Sequence, residues 1–352
     1  MEVLITGAAG YIGSNLLVGL ANYPECKRII AVDNFCTTRR PLFEKTKALL
    51  NQFPQLRFYE VDYYDLEEMI PLLEQVDIVV HLAEEKDSVV CEERHTTKAK
   101  KIVDWQKYKS LYCEKPTMTK KKVINWQKHV EGYRRLLEAC IVCGIKRIIL
   151  GSWAGVYVSS GDRIISEDET LLPINQNYHQ KISQEYYNKI FALEYYLDTV
   201  TLRLSNVYGV GSEGSRWCSD SDPGVISIMV EKAIRDKEII VHNKGLQKRN
   251  FVYIGDVVDA LIKVISFKKS FSGKTFNICS DEETRIIDVA TWISELFKTH
   301  IDFQNVRWQK NIVQYPISNL RAKKSFGFHP TSNMRVKIAE MVDAVRRMEG
   351  YV

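Results

Sequence analysis

An α/β fold, with a doubly wound parallel sheet and a smaller α/β second lobe, is predicted by three features of this 352-residue sequence. Short apolar runs alternate with helix-period segments through the first half, a glycine-rich turn follows the first run at once, and an acidic residue, Asp33, closes the second. Taken in order, residues 3–6, 28–32, 56–61, 77–81, 147–150 and 200–204 read as buried strands, each apolar and bounded by turn or charged residues. Between them, residues 14–22, 66–75, 131–143 and 180–196 carry the helical period. Strand and helix in strict succession argue for parallel strands with helices on both faces. From about Asn206 the rhythm loosens: helical patterns at 224–236, 254–266 and 284–297 alternate with short strands at 238–241 and 275–279. The expected division is therefore a first domain over 1–205 and a smaller lobe over 206–352.

A hydrophobic share of 45% and a charged share of 26% exclude collagen-like, low-complexity and wholly disordered chains. No apolar run is long enough to span a bilayer, so no membrane association is expected. The chain enters its first strand directly after Met1 and Glu2, without a leader pattern, and its eight cysteines are scattered, which together imply a reducing, cytoplasmic location. Cys140 and Cys143 form a Cys-x-x-Cys with no second pair at zinc spacing; they read as helix thiols, and no metal site is expected.

The formal charge of +5 is unevenly placed. Residues 85–128 hold 12 Lys and Arg against 6 Asp and Glu, while the rest of the chain holds 37 against 38. This basic insertion adjoins the expected active-site mouth and reads either as a lure for an anionic substrate or as a solvated loop. Its aromatics, Trp105, Tyr108, Tyr112 and Trp126, read as packing residues, and no nucleic-acid partner is expected.

Gly7-Ala8-Ala9-Gly10-Tyr11-Ile12-Gly13 lies between the first strand and the first helix. Glycines so placed let the backbone turn tightly and approach a pyrophosphate, and the helix N-terminus supplies amides and positive potential. Asp33, ending the second strand, can accept both ribose hydroxyls and would repel a 2′-phosphate, so the pattern predicts a Rossmann-type site for NAD rather than NADP. Arg39 and Arg40 temper that preference. Asp62, ending the third strand, is placed to meet the adenine edge.

These residues, with Asn34 and His81-Leu82-Ala83, resemble the extended short-chain dehydrogenase/reductases, specifically the NAD-dependent sugar-nucleotide epimerase/dehydratase family. Lys146-Arg147-Ile148-Ile149, Val156-Tyr157, the run from Arg203 to Gly209, the run from Arg249 to Asp256 and Phe276-Asn277-Ile278 match its landmarks in order. The resemblance implies that Gly7, Gly10, Tyr11, Ile12, Gly13, Asp33, Asn34, Asp62, Leu82, Ala83 and Lys181 hold NAD. It implies a nucleotide-diphosphate sugar between the lobes, contacted by Asn206, by Arg249 through its guanidinium fork, and by His242 near the base. It also implies a homodimer through a four-helix bundle, built from the helices ending near Cys143 and beginning near Gln180.

The reaction centre departs from the family pattern of a Tyr four residues before a Lys, with a Ser or Thr beside the reacting oxygen. Counting back from Arg203, Lys181 takes the lysine position, Glu185 that of the helix glutamate, and Asn177 that of the tyrosine. Tyr178 is one place late, a rotation of about 100° on a helix. Trp153 stands where Ser or Thr is usual, with Ser152 one place early, and His129 replaces an active-site Asn. Ala154-Gly155 replace the acidic pair of dehydratases, so dehydration by the standard route is not expected. Either one-residue shifts bring Ser152 and Tyr178 into the site, or the usual proton relay has been discarded. In the second case Lys181, Tyr178, His129, Ser152 and Glu84 are the polar groups left around the nicotinamide, with Trp153 walling the pocket. Three functions follow: an epimerase or oxidoreductase of a nucleotide-diphosphate sugar, a divergent enzyme on another, non-sugar anionic small molecule, or a non-catalytic NAD-binding protein.

Overall fold

The computed structural model describes residues 1–36, 51–84, 120–157, 163–172, 176–210, 224–305, 316–330 and 333–349. Its centre is a seven-stranded sheet, all parallel: β1 (Glu2–Thr6), β2 (Arg28–Asp33), β3 (Leu56–Glu60), β4 (Ile78–His81), β5 (Arg147–Trp153), β6 (Asp198–Leu204) and β10 (Lys274–Ile278), in the order 3-2-1-4-5-6-10. The first two strands show why both faces are covered. Val3 and Ile5 of β1 and Ile29 and Ala31 of β2 enter one apolar layer, while Leu4, Ile30 and Val32 enter the opposite one. Successive side chains of a strand point to opposite faces, so a continuous apolar run needs cover on both.

On the first face lie α1 (Tyr11–Ala21) and α6 (Ile254–Ser266), which contribute Leu16, Leu17, Leu20, Val257, Leu261 and Val264 to the core. On the second lie α2 (Leu66–Leu73), α3 (Lys120–Val142) and α4 (Gln176–Glu194), with Met69, Leu73, Leu136, Leu137 and Phe191 buried. Each such side chain, wholly withdrawn from water, contributes about 1.5–3 kcal/mol. The third core forms the smaller lobe, in which α5 (Val225–Arg235), α7 (Ile286–Phe297) and α9 (Met334–Glu349) enclose Met229, Val230, Val289, Ile293, Met341 and Val345. Two small sheets complete that lobe: β7 (Asn206–Tyr208) and β11 (Glu283–Arg285) flank β9 (Lys248–Tyr253), and β8 (Glu238–His242) pairs with β12 (His300–Gln304).

The sequence assigns all of 206–352 to the second lobe, but three of its elements return to the large sheet. β10 pairs with β6 at the sheet edge, α6 packs on α1, and α8 (Leu320–Phe326) inserts Ala322 and Phe326 into the same layer. Arg147, at the start of β5, anchors this return. Its guanidinium donates to the carbonyls of Val264 in the last turn of α6 and of Phe267 and Lys269 just past its end, and pairs with Asp198, using its fixed fork to satisfy carbonyls that a helix end leaves open. Of the basic segment 85–128, residues 120–128 form the first turns of α3; residues 85–119 lie outside the described residues, as do Arg39 and Arg40.

Candidate functional site

The glycine turn follows β1 and opens α1 with Gly10 as N-cap. Gly7 adopts φ +70°, and a β-carbon there would stand 2.6 Å from the Ala83 amide nitrogen. A β-carbon on Gly13 would stand 2.2 Å from the Gly7 carbonyl, so the turn can close against the helix only without one. Leu82 and Ala83, just past β4, donate their amides to Thr6, at its carbonyl and its hydroxyl respectively, which fixes that segment beside the turn. Ile12 packs on the first core layer, and Tyr11 donates its hydroxyl to the Gly209 carbonyl at 2.7 Å.

At the end of β2 the carboxylate of Asp33 accepts the amides of Ala9 (2.9 Å) and Phe35 (2.8 Å). The acid is thereby locked to the glycine turn itself. Asn34 donates to Asp62 at 3.0 Å, and Asp62 accepts the amide of Tyr64. The hydroxyls of Tyr64 (2.7 Å) and Tyr63 (3.4 Å) converge on Nδ1 of His129, so this histidine lies within a buried aromatic group and is reached through Tyr64 from the Asp62 end. Burial, together with the charges of Tyr64, Asp62 and Glu84, pushes the Tyr63 phenol well above its ordinary value, so it remains protonated. His81 is fully buried in the same group, hydrogen-bonded to Thr6 through Nδ1 at 2.8 Å. Burial foremost, and then the Lys181 and His129 charges, push its pKa well below the ordinary value, leaving it neutral.

Lys181 reaches the C-terminal ends of β4 and β5 from α4. Its Nζ donates to the Gly151 carbonyl at 3.0 Å and lies 3.5 Å from Oε2 of Glu84, with side-chain exposures of 6% and 28%. The sequence expects Ser152 beside it, but that hydroxyl donates to Oε1 of Glu185 at 2.5 Å. Glu185 is paired with Arg203, whose Nη1 also reaches the Tyr157 hydroxyl at 2.7 Å; Tyr157 donates to Asn277. Ser152 is thus the edge of a buried polar network, as expected of desolvated groups that must all be satisfied. Burial, outweighing Arg203, raises the Tyr157 phenol.

Trp153 and Tyr178 meet edge to face, with ring centroids 5.0 Å apart, and the indole is 40% exposed. Tyr178 therefore points toward β5's end, and Asn177 precedes it on α4. In the smaller lobe, exposed Asn206 donates to the Asn250 carbonyl and Arg249 to that of Lys248, on neighbouring strands β7 and β9. His242 ends β8, half-buried, with its pKa lowered by burial. The structure thus joins the glycine turn, Asp33, Asn34, Asp62, Leu82, Ala83 and Lys181 along one rim of the sheet. It sets Ser152 into the network beneath and His129 behind Tyr63 and Tyr64.

Two features escaped sequence reasoning. Glu84 and Lys181 were both expected near the nicotinamide, but their ion pair was not, since they are distant in the chain, and the Tyr63–Tyr64–His129 group has no spacing signature. The residues fit a dinucleotide. Among the described residues, a β-carbon on Gly10 would meet only the Gly7 carbonyl, so the outer side of the turn is open to a pyrophosphate, with the Asp33 carboxylate on one flank and the Lys181 ammonium on the other.

Sheet order and glycine turn define a doubly wound, dinucleotide-binding class of fold. The chain belongs to the NAD dependent epimerase/dehydratase family, whose model matches residues 3–103 and 114–279. The match is interrupted only over 104–113, inside the basic segment. A curated relative described as an uncharacterized UDP-glucose epimerase, YtcB of Bacillus subtilis strain 168, is 25% identical over 297 residues, covering 84% of this chain and 82% of its own. The dTDP-D-glucose 4,6-dehydratase of Mus musculus is 26% identical over 326 residues, covering 91% and 79%. Among solved structures, the UDP-glucuronic acid 4-epimerase of Bacillus cereus, in complex with UDP-glucuronic acid and NAD, superposes with a TM-score of 0.78 at 20% identity, covering 99% of this chain and all of that one. At that identity the likeness carries the fold.

Proposed function

We propose that this protein epimerises, oxidises or reduces a nucleotide-diphosphate sugar by hydride transfer through bound NAD, with a non-standard proton relay. One observation carries the reading: the cofactor turn and Lys181 share a rim. Gly7 packs on Ala83, and the next residue, Glu84, pairs with Lys181. Bound NAD would supply a hydride acceptor and donor. Gly7, Gly10, Tyr11, Ile12 and Gly13 would cradle its pyrophosphate, Asp33 its ribose, Asn34 and Asp62 its adenine end, and Leu82, Ala83 and Lys181 its nicotinamide end. Asn206, Arg249 and His242 would hold the nucleotide-diphosphate, and Trp153 with Tyr178 would wall the sugar. His129 would act through Tyr63 and Tyr64, and Ser152 through Glu185.

The activities on UDP- and dTDP-sugars by which the relatives are named support this substrate class. The half-exposed Trp153, in place of a hydroxyl residue, favours as a second reading a related anionic substrate that is not a sugar. Tyr186, Ile190 and Leu193 form an exposed apolar stripe on α4, and Ile141 and Val142 are exposed at the end of α3, which supports a homodimer through these helices. Free Cys26, Cys140 and Cys279, buried as thiols, support a reducing cytoplasmic location. Among the described residues no helix is long and apolar enough to cross a membrane.

The test is to assay purified protein for bound NAD and for hydride exchange with UDP-, GDP-, CDP- and dTDP-sugars. Bound NAD without exchange from any of them overturns the sugar reading.

A further inference from the structure

We propose that Glu84 is the acid–base residue of this site, taking the proton of the reacting hydroxyl and returning it, with Lys181 as its ion-pair partner. This rests on the hydride-transfer reading above. Four other polar side chains near Lys181 are unsuited or already engaged. The Ser152 hydroxyl is given to Glu185, the Asn177 amide cannot accept a proton, and Tyr178, three residues before Lys181 rather than four, is turned about 100° round the helix, where its ring lies edge to face on Trp153. His129 Nδ1 is shared between two tyrosine hydroxyls.

Glu84 differs from all of these. It is a carboxylate, it follows directly on the Leu82-Ala83 segment that closes the glycine turn, and its Oε2 lies 3.5 Å from Lys181 Nζ. Among the described residues, the charged and titratable groups shown to face it are Lys181 from α4 and Tyr63 from the turn after β3. The phenol of Tyr63 is held protonated by burial, so among the described residues Lys181 is the charge shown paired with Glu84. When a sugar carbinol is oxidised, its C–H hydride passes to oxidised nicotinamide and its O–H proton to the Glu84 carboxylate, leaving a ketone and a neutral carboxylic acid. In the return step the hydride goes back to carbon and the carboxylic acid gives its proton to the carbonyl oxygen. Atoms and charge balance, with NAD as the only co-reactant. A carboxylate reaching one end of the nicotinamide site supplies what the displaced tyrosine does not, and a positioned acid–base group contributes about 100- to 10,000-fold to rate.

The experiment uses full-length protein with NAD and three variants, Glu84→Gln, Glu84→Asp and Glu84→Ala. Reduced-nicotinamide fluorescence is followed in a single turnover with whichever nucleotide sugar the wild type accepts. Calorimetry gives the NAD Kd, and borohydride reduction of the bound cofactor reports its placement without needing a base. The expected result for Glu84→Gln is an NAD Kd and a borohydride rate within threefold of wild type, a turnover slower by about 100-fold or more, and loss of the acidic limb of the pH profile. Glu84→Asp should retain part of the rate, and acetate should rescue Glu84→Ala. A Glu84→Gln turnover within threefold of wild type, or an unchanged acidic limb, overturns the proposal. So does loss of NAD binding, which would make Glu84 part of the cofactor cradle. A wild type that binds NAD but takes hydride from no nucleotide sugar brings down the underlying reading as well, a result distinct from an active wild type matched by Glu84→Gln.

Discussion

Arg203 and Glu185 face one another at 2.6 Å with side chains only 1% and 2% exposed. One lies on β6 and the other on α4, so the pair fastens the helix carrying Lys181 to the sheet beneath the site. Removing one partner leaves an uncompensated buried charge, whereas replacing both with apolar residues does not. Arg203→Met should lower unfolding stability by about 3–5 kcal/mol, read by urea denaturation. The double variant Arg203→Met/Glu185→Met should recover more than half of that loss. A double-variant loss equal to the sum of the two single losses would show the pair to be energetically idle.

Asp33 accepts two backbone amides with one carboxylate, one of them from the glycine turn. Asp33→Ala should weaken NAD binding about 10- to 100-fold, the worth of hydrogen bonds to a charged group. It should weaken NADP binding less, because the repulsion of a 2′-phosphate goes with the charge. Calorimetric titration with both cofactors checks the difference.

Gly13→Ala would place a methyl group 2.2 Å from the Gly7 carbonyl, and the obstruction is backbone, which cannot swing aside. The expected cost is about 1–3 kcal/mol of stability, as for an overpacked core. NAD affinity should fall with it. A thermal shift series with and without NAD separates the two effects.

The neutral, buried His81 makes stability depend on pH in a defined direction. Its native pKa is lowered by burial, so between that value and the unfolded value of about 6.5 the unfolded chain binds one more proton. The contribution is whole above pH about 6.5 and is lost below it, at about 1.4 kcal/mol per pH unit. His81→Gln should show a stability slope shallower by about one proton between pH 5 and 6. An identical slope in both proteins would mean that His81 charges in place.

The glycine turn and the parallel sheet were legible because both are local patterns: a strand, a tight turn and a helix read within thirty residues. Lys181 was also legible, since it is counted from a strand. Ser152 was not, because one residue along a strand reverses the face, and only the Glu185 partner shows which face it took. Glu84 reads in one dimension as one of several polar groups near the nicotinamide; its pairing with Lys181 exists only when β4 and α4 meet. The return of α6, β10 and α8 to the large sheet was invisible for the same reason. Helical period shows that a face is buried, not against which partner.

The Tyr11 hydroxyl, on the first residue of α1, holds the carbonyl of Gly209 where the chain passes from the large sheet into the smaller lobe, and Tyr253 holds the next carbonyl, that of Val210. The segment just past β7 is therefore held by both lobes. The first residue of the helix behind the glycine turn and the entry to the smaller lobe thus share one hydrogen bond, so the two lobes are pinned to each other at the turn itself.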